Sequence, residues 1–215
     1  MKTILFSVLL GLITSCSLAQ EKVYDLALLS RENQLGIINR NILIEKDQKG
    51  DYIKVSESKG EGIVWLPVEN FKTGTLTIEM RGKDVLQRSF IGIAFHGQND
   101  STYDAVYCRP FNFYAKDSVR KIHAIQYIAH PKYTWNYLRE NRNAEFEKEI
   151  IGAPQPNDWF TMTLTIQNGT VKAYINDSTK PVLTISKLSN YHAGKIGLFV
   201  GDGSGGDFRK LTIVK

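Results

Sequence analysis

Between Phe90 and Trp135, histidine, arginine and aromatic residues collect at the ends of three strand-like runs: FIGIAFHGQND, YDAVYCRPFNF and KIHAIQYIAHPKYTW. The first run closes on His96, on the face shared with Gly92 and Ala94, whose small side chains would leave room for a ligand above a sheet. The second ends on Arg109, on the face of Tyr103, Ala105 and Tyr107, just before Pro110 fixes a turn that carries Asn112. A guanidinium fork presents paired donors to a carboxylate or to sugar hydroxyls, and an imidazole can exchange a proton near neutrality. His96 and His123 are therefore the candidate catalytic bases. His96 also has a plainer reading as a rim histidine bonded to a neighbouring loop, and Arg109 as an ion pair with Asp104 or Glu140.

The third run is ambiguous. Strict alternation puts His123, Ile125 and Tyr127 on one face and Ala124, Gln126 and Ile128 on the other, and only one set can meet a ligand. Beyond it, His130, Tyr133 and Trp135 crowd a short loop at a strand end, where binding groups concentrate, and Arg139 follows. Aromatic faces stack on the apolar C–H face of a pyranose, so Tyr127, Tyr133 and Trp135 could serve as sugar platforms or simply as rim packing. The expected substrate-binding set is His96, Arg109, Asn112, His123, Gln126, Tyr127, His130, Tyr133, Trp135 and Arg139.

Other chemistries are less supported. Glycoside hydrolysis normally uses two carboxyl groups about 5 to 10 Å apart, but Glu140, Glu145, Glu147, Glu149, Asp104 and Asp158 show no diagnostic spacing. Alternation places Glu145, Glu147 and Glu149 on one strand face, most simply a solvated one. His123 and His130 lack zinc-ligand spacing, and no G-x-S-x-G elbow, P-loop or CxxC occurs. Gly201 to Gly206 matches G-x-G-x-x-G, yet nine residues remain after it, too few for the βαβ unit a dinucleotide site requires. Asp202 and Asp207 beside those glycines could help hold a structural calcium ion or could cap turns. No other cofactor is expected.

These residues need a scaffold, and period-two alternation supplies it from Val23 to Lys215. In TLTIEM, Leu76, Ile78 and Met80 share one face. In WFTMTLTIQNGTVKAYIND, Phe160 to Ile166 alternate inward, Asn168-Gly169 makes a type I′ turn, and Val171, Ala173 and Ile175 return. Further strands are expected over 37–45, 51–57, 62–68, 74–82, 89–96, 103–109, 121–129, 145–151, 181–186, 194–200 and 207–214. About a dozen short strands imply an all-β fold, a two-sheet antiparallel jelly-roll sandwich. The one helical insertion expected on its rim is Trp135 to Asn141, capped by Thr134.

The chain has 215 residues, with 27 Lys+Arg against 22 Asp+Glu, a net charge of +5. Basic and acidic residues are interleaved, so no nucleic-acid footprint is expected. Residues 1–19 read as a secretory signal: Lys2, then ILFSVLLGLI, then small residues. Cleavage after Ser17-Leu18-Ala19 or at the lipobox-like Ile13-Thr14-Ser15-Cys16 fits equally, the latter giving a lipid anchor at Cys16. Residues 20–215 then form one exported domain without a transmembrane span, periplasmic, on the cell surface or secreted. Cys108, left without a partner, is expected to be a small buried core residue.

FIGIAFHG, YDAVYCRPFNF, HAIQYIAHPKYTWNYLRE, PNDWFTMTLTI and GKIGLFVGDGSGGDFRKLTI together resemble exported bacterial domains of the concanavalin A-like lectin/glucanase superfamily. Within it the chain is similar to laminin-G-like and 3-keto-disaccharide hydrolase type domains, over most of residues 60–215. The resemblance implies a curved sandwich whose concave face or rim meets carbohydrate at His96, Arg109, Asn112, His123, Gln126, Tyr127 and Trp135. The E-x-D-x-x-E strand of glycoside hydrolase family 16 is absent, as is the tryptophan-rich start of the keto-disaccharide hydrolases. A carbohydrate-binding sandwich is therefore the leading expectation. A glycoside hydrolase or 3-keto-disaccharide hydrolase or eliminase, and a structural or protein-binding envelope domain, are the alternatives.

Overall fold

The structure, a computed structural model, describes residues 20–215; the leader reading and Cys16 lie outside the described residues. In chain order the elements are β1 (Glu21–Asp25), α1 (Leu26–Arg31), β2 (Gly36–Ile38), β3 (Ile42–Asp47), β4 (Gly50–Val55), β5 (Gly62–Trp65), β6 (Gly74–Arg81), β7 (Ile91–Asn99), β8 (Thr102–Cys108), α2 (Ser118–Lys121) and β9 (Ile125–Ala129). They continue with α3 (Trp135–Asn141), β10 (Glu147–Lys148), β11 (Trp159–Gln167), β12 (Thr170–Ile175), β13 (Leu183–Ser186), β14 (Lys195–Val200) and β15 (Gly206–Val214). The strands form two antiparallel sheets, ordered β13-β12-β11-β6-β15-β4-β3, with β1 also on β15, and β10-β9-β8-β7-β14-β5-β2.

The first sheet follows the alternation of its sequence. Phe160, Met162, Leu164 and Ile166 are buried on β11, and their neighbours across the ladder are Met80, Ile78 and Leu76 of β6, with Gly74 beside Ile166. Asn168 and Gly169 take φ of 50° and 73°, the left-handed pair expected of the β11–β12 turn. In β15 the pairing shifts between Phe208 and Leu211, a bulge that lets two residues three apart both point into the core. The second sheet departs from half-burial: β8 and β9 are buried at nearly every position. One face packs on the first sheet, with Ile93, Val106, Ile125 and Leu198, and the other is roofed by loops and by α3.

Three expected strands are shortened for local reasons. The 37–45 run breaks into β2 and β3 because Asn39, at φ 54°, turns the chain from one sheet to the other while its amide donates to the carbonyls of Lys59 and Glu61. The 121–129 run starts only at Ile125, since Asp117 accepts from Arg120 N at 2.7 Å and caps α2. The 145–151 run pairs only at Glu147 and Lys148. Helix α3 has the expected bounds, with Thr134 Oγ1 accepting from Tyr137 N. Strand β1 and helix α1, capped by Asp25, went unexpected. Cys108 is fully buried in the core, and burial raises its thiol pKa.

Candidate functional site

On the face of the second sheet turned away from the core, Gly92, Tyr107, Gln126 and Phe199 lie side by side across β7, β8, β9 and β14. A cavity of about 480 Å³ opens above Tyr107 and Phe199, inside the roughly 300 to 1,000 Å³ range of small-molecule sites. Phe90, Phe111 and Trp135 add aromatic walls. Phe90 packs edge-on against both Phe111 and Tyr107, whereas Trp135 stands 46% exposed at the lip. The capped first turn of α3 thus presents the indole to the opening.

The polar wall comes from segments flanking β8 and β9. Arg109, Asn112, His123, Trp135 and Arg139, all expected from sequence, line the cavity together with Arg120, which was not. Arg109 is buried and internally committed: it donates to His123 O at 2.8 Å, to the Tyr107 hydroxyl at 2.9 Å, and to Gln126 Oε1. Gln126, with no exposed surface, accepts from Arg109 and from Tyr107 and so supports the floor. Burial pushes the Tyr107 phenol up to about 12.

Behind this wall sits Glu147, 2% exposed, where a solvated carboxylate was expected. Its carboxylate lies 2.7 Å from His123 Nδ1, 3.1 Å from Arg139 Nη2 and 3.7 Å from Arg109 Nη1. Arg109 therefore faces Glu147, and neither Asp104 nor Glu140 is its ion-pair partner. Desolvation lowers the His123 pKa, with Glu147 acting in the opposite direction, so the imidazole is neutral at neutral pH.

The remaining candidates lie elsewhere. His96 has φ 49° at a bulge in β7, which reverses its side chain toward Phe71 and Phe95; its Nε2 is 2.8 Å from Lys72 O and its Nδ1 3.9 Å from the buried Asp104. Burial lowers its pKa as well. Gly92 does not line the cavity; a Cβ there would meet the backbone of β8, Val106 O at 2.1 Å and Tyr107 Cα at 2.6 Å. Tyr127 belongs to the core face, where its hydroxyl donates to Asp104 and accepts from Leu188 N. Gln126 thus lies on the outer face, buried beneath the cavity wall, while His123 lines the cavity because it precedes the strand.

His130 stacks 5.0 Å from the Tyr103 ring, with Nε2 3.3 Å from Glu61, a cavity-lining acid. Tyr133 packs against Tyr137, outside the cavity. Asp202 lines the cavity and accepts from Gly60 N, whereas Asp207 pairs with Arg81 at 2.6 Å on the other sheet. The two acids do not converge, and among the described residues no group of three His, Cys, Asp or Glu side chains could hold a metal. No helix of the described residues is long and apolar enough to cross a membrane.

No family model matches the sequence, and a comparison with curated proteins finds no match. Solved structures are similar in fold. A protein of unknown function with galectin-like fold from Bacillus subtilis aligns with a TM-score of 0.60 at 13% identity, over 92% of this chain and 97% of that one. The carbohydrate binding module CBM66 from Bacillus subtilis aligns with 0.53 at 14%, over 85% and 92%. The VIP36 exoplasmic/lumenal domain in its Ca2+/Man3GlcNAc-bound form aligns with 0.55 at 10%, over 85% of each chain. The chain shares the two-sheet antiparallel sandwich fold of these structures.

Proposed function

We propose that the cavity on the outer face of the second sheet binds a saccharide, and that the protein is an exported carbohydrate-binding sandwich. The observation that carries this reading is the joining of an aromatic floor and an exposed Trp135 to a wall of hydrogen-bond donors in one opening of suitable size. Pyranoses offer apolar C–H faces to such rings and hydroxyls to such donors. The neighbours support it by analogy: one is a carbohydrate binding module and another is bound to Man3GlcNAc. Depletion of the protein onto insoluble plant and algal polysaccharides, without released sugar, is the expected result; failure of every glycan to retain it contradicts the reading. Export rests on Lys2 and the apolar run after it, and is tested by the N-terminus found in the producing cell, at Gln20 or at a lipid-modified Cys16.

A second reading rests on His123. A neutral imidazole at a cavity wall, with a buried carboxylate 2.7 Å from its Nδ1, is the pairing a general base would use. Glycoside or 3-keto-disaccharide cleavage would then depend on His123. Release of reducing sugar that disappears in His123→Ala supports turnover, and its absence on both plain and 3-keto-disaccharides removes it.

A further inference from the structure

The charge around the cavity is uneven. Arg109, Arg120 and Arg139 all line it on the β8, β9 and β10 side of the sheet. The carboxylate facing them is Glu147, shared between Arg109 and Arg139. Arg120 is held by neutral acceptors only, Nε on Asn112 Oδ1 at 3.2 Å and Nη2 on Phe111 O at 2.9 Å. Three guanidinium groups against one carboxylate leave an excess of two positive charges there, and His123 beside them is neutral. The β5 and β14 side has the opposite character: Glu61 and Asp202 line the cavity, and the buried Arg40 close to both spends its guanidinium on the carbonyls of Asn39, Gly60, Val200 and Gly201.

A neutral sugar leaves that excess uncompensated, whereas an anionic group on a sugar would neutralise it through charge-assisted hydrogen bonds. We propose that the ligand is an anionic saccharide, carrying a carboxylate or a sulfate, with its anionic group against Arg120 and Arg139 and its hydroxyls toward Glu61 and Asp202. This rests on the saccharide-binding reading and names the ligand class of the same site. Trp135 stands beside this charged wall, with Arg139 Cζ 5.1 Å from its ring centroid.

The test is calorimetric titration of the full chain with a hexuronate oligosaccharide, the same oligosaccharide as its methyl ester, and a sulfated oligosaccharide on a neutral backbone. The acid form is expected to bind at least about 10-fold more tightly than the ester, and a tight sulfated arm would name sulfate as an accepted anion. The acid-to-ester preference should shrink as salt is raised from about 0.05 M to about 0.5 M, where screening shortens the reach of charge. Arg120→Gln should remove most of the preference, read as the ratio of the acid and ester dissociation constants measured on the same variant. Because Arg120 also ties α2 to Phe111, the salt series on the unaltered chain stands as an independent measurement. Equal binding of acid and ester, or a preference indifferent to salt, overturns the anionic assignment and leaves saccharide binding standing. Failure of all three saccharides and of neutral glycans overturns both.

Discussion

Glu147 is the side chain on which the wall of the cavity turns. With two arginines and a histidine around a buried carboxylate, removing the charge leaves guanidinium groups uncompensated, and breaking a buried ion pair in this way typically costs about 3 to 5 kcal/mol. Glu147→Gln is therefore expected to lower stability in urea unfolding by about 3 kcal/mol and to loosen ligand binding with it. The histidines set a pH dependence. His96 and His123 both have pKa values lowered in the folded chain, chiefly by burial, so the unfolded chain binds more protons below its ordinary histidine pKa of about 6.5. Their contribution is complete above about pH 6.5 and is lost as the pH falls through that value, so the urea midpoint should drop between about pH 8 and about pH 5; a flat profile contradicts the assignment. Glu147 was not legible as a site residue, because a short strand with acids at every second position reads as a wet edge until the arginines that cover it are placed.

At the scale of elements, α3 carries Trp135 and Arg139 of the cavity wall, and β7 braces the strands that carry Tyr107 and Phe199. Thr134 caps α3, and losing such a cap costs about 1 kcal/mol. Because Trp135 and Arg139 ride on that helix, Thr134→Ala should weaken saccharide binding as well as lower the melting temperature. Gly92 is where β7 passes closest to Tyr107, and Gly92→Ala is expected to cost about 1 to 3 kcal/mol as overpacking. Retention of full stability would mean that the ladder can yield there. The Asn-Gly turn and the cap of α3 could be read directly because each depends on contacts a few residues apart. The break at Asn39 and the reversal of His96 could not, since each depends on a left-handed residue satisfied by partners distant in sequence, Lys59 and Glu61 in one case and Lys72 in the other.

Across the whole molecule, alternation made the sandwich legible because one face of each strand in the first sheet is wet. The second sheet hid its outer face, since strands buried on both sides do not announce which residues look outward. That is why Arg109, His123 and Trp135 could be chosen from their positions at strand ends, while Phe199 and Arg120 needed the register and the roof. A ligand seated in the cavity binds only the folded chain, so saccharide at about 100 times its dissociation constant should stabilise the protein by about 2.7 kcal/mol. The most direct measurement of the central claim is equilibrium binding of a glycan panel to the unaltered chain and to Trp135→Ala. At least one saccharide should bind, and its affinity should fall about 10-fold without the exposed indole. A panel in which nothing binds, or a ligand indifferent to Trp135→Ala, would contradict the cavity as a saccharide site.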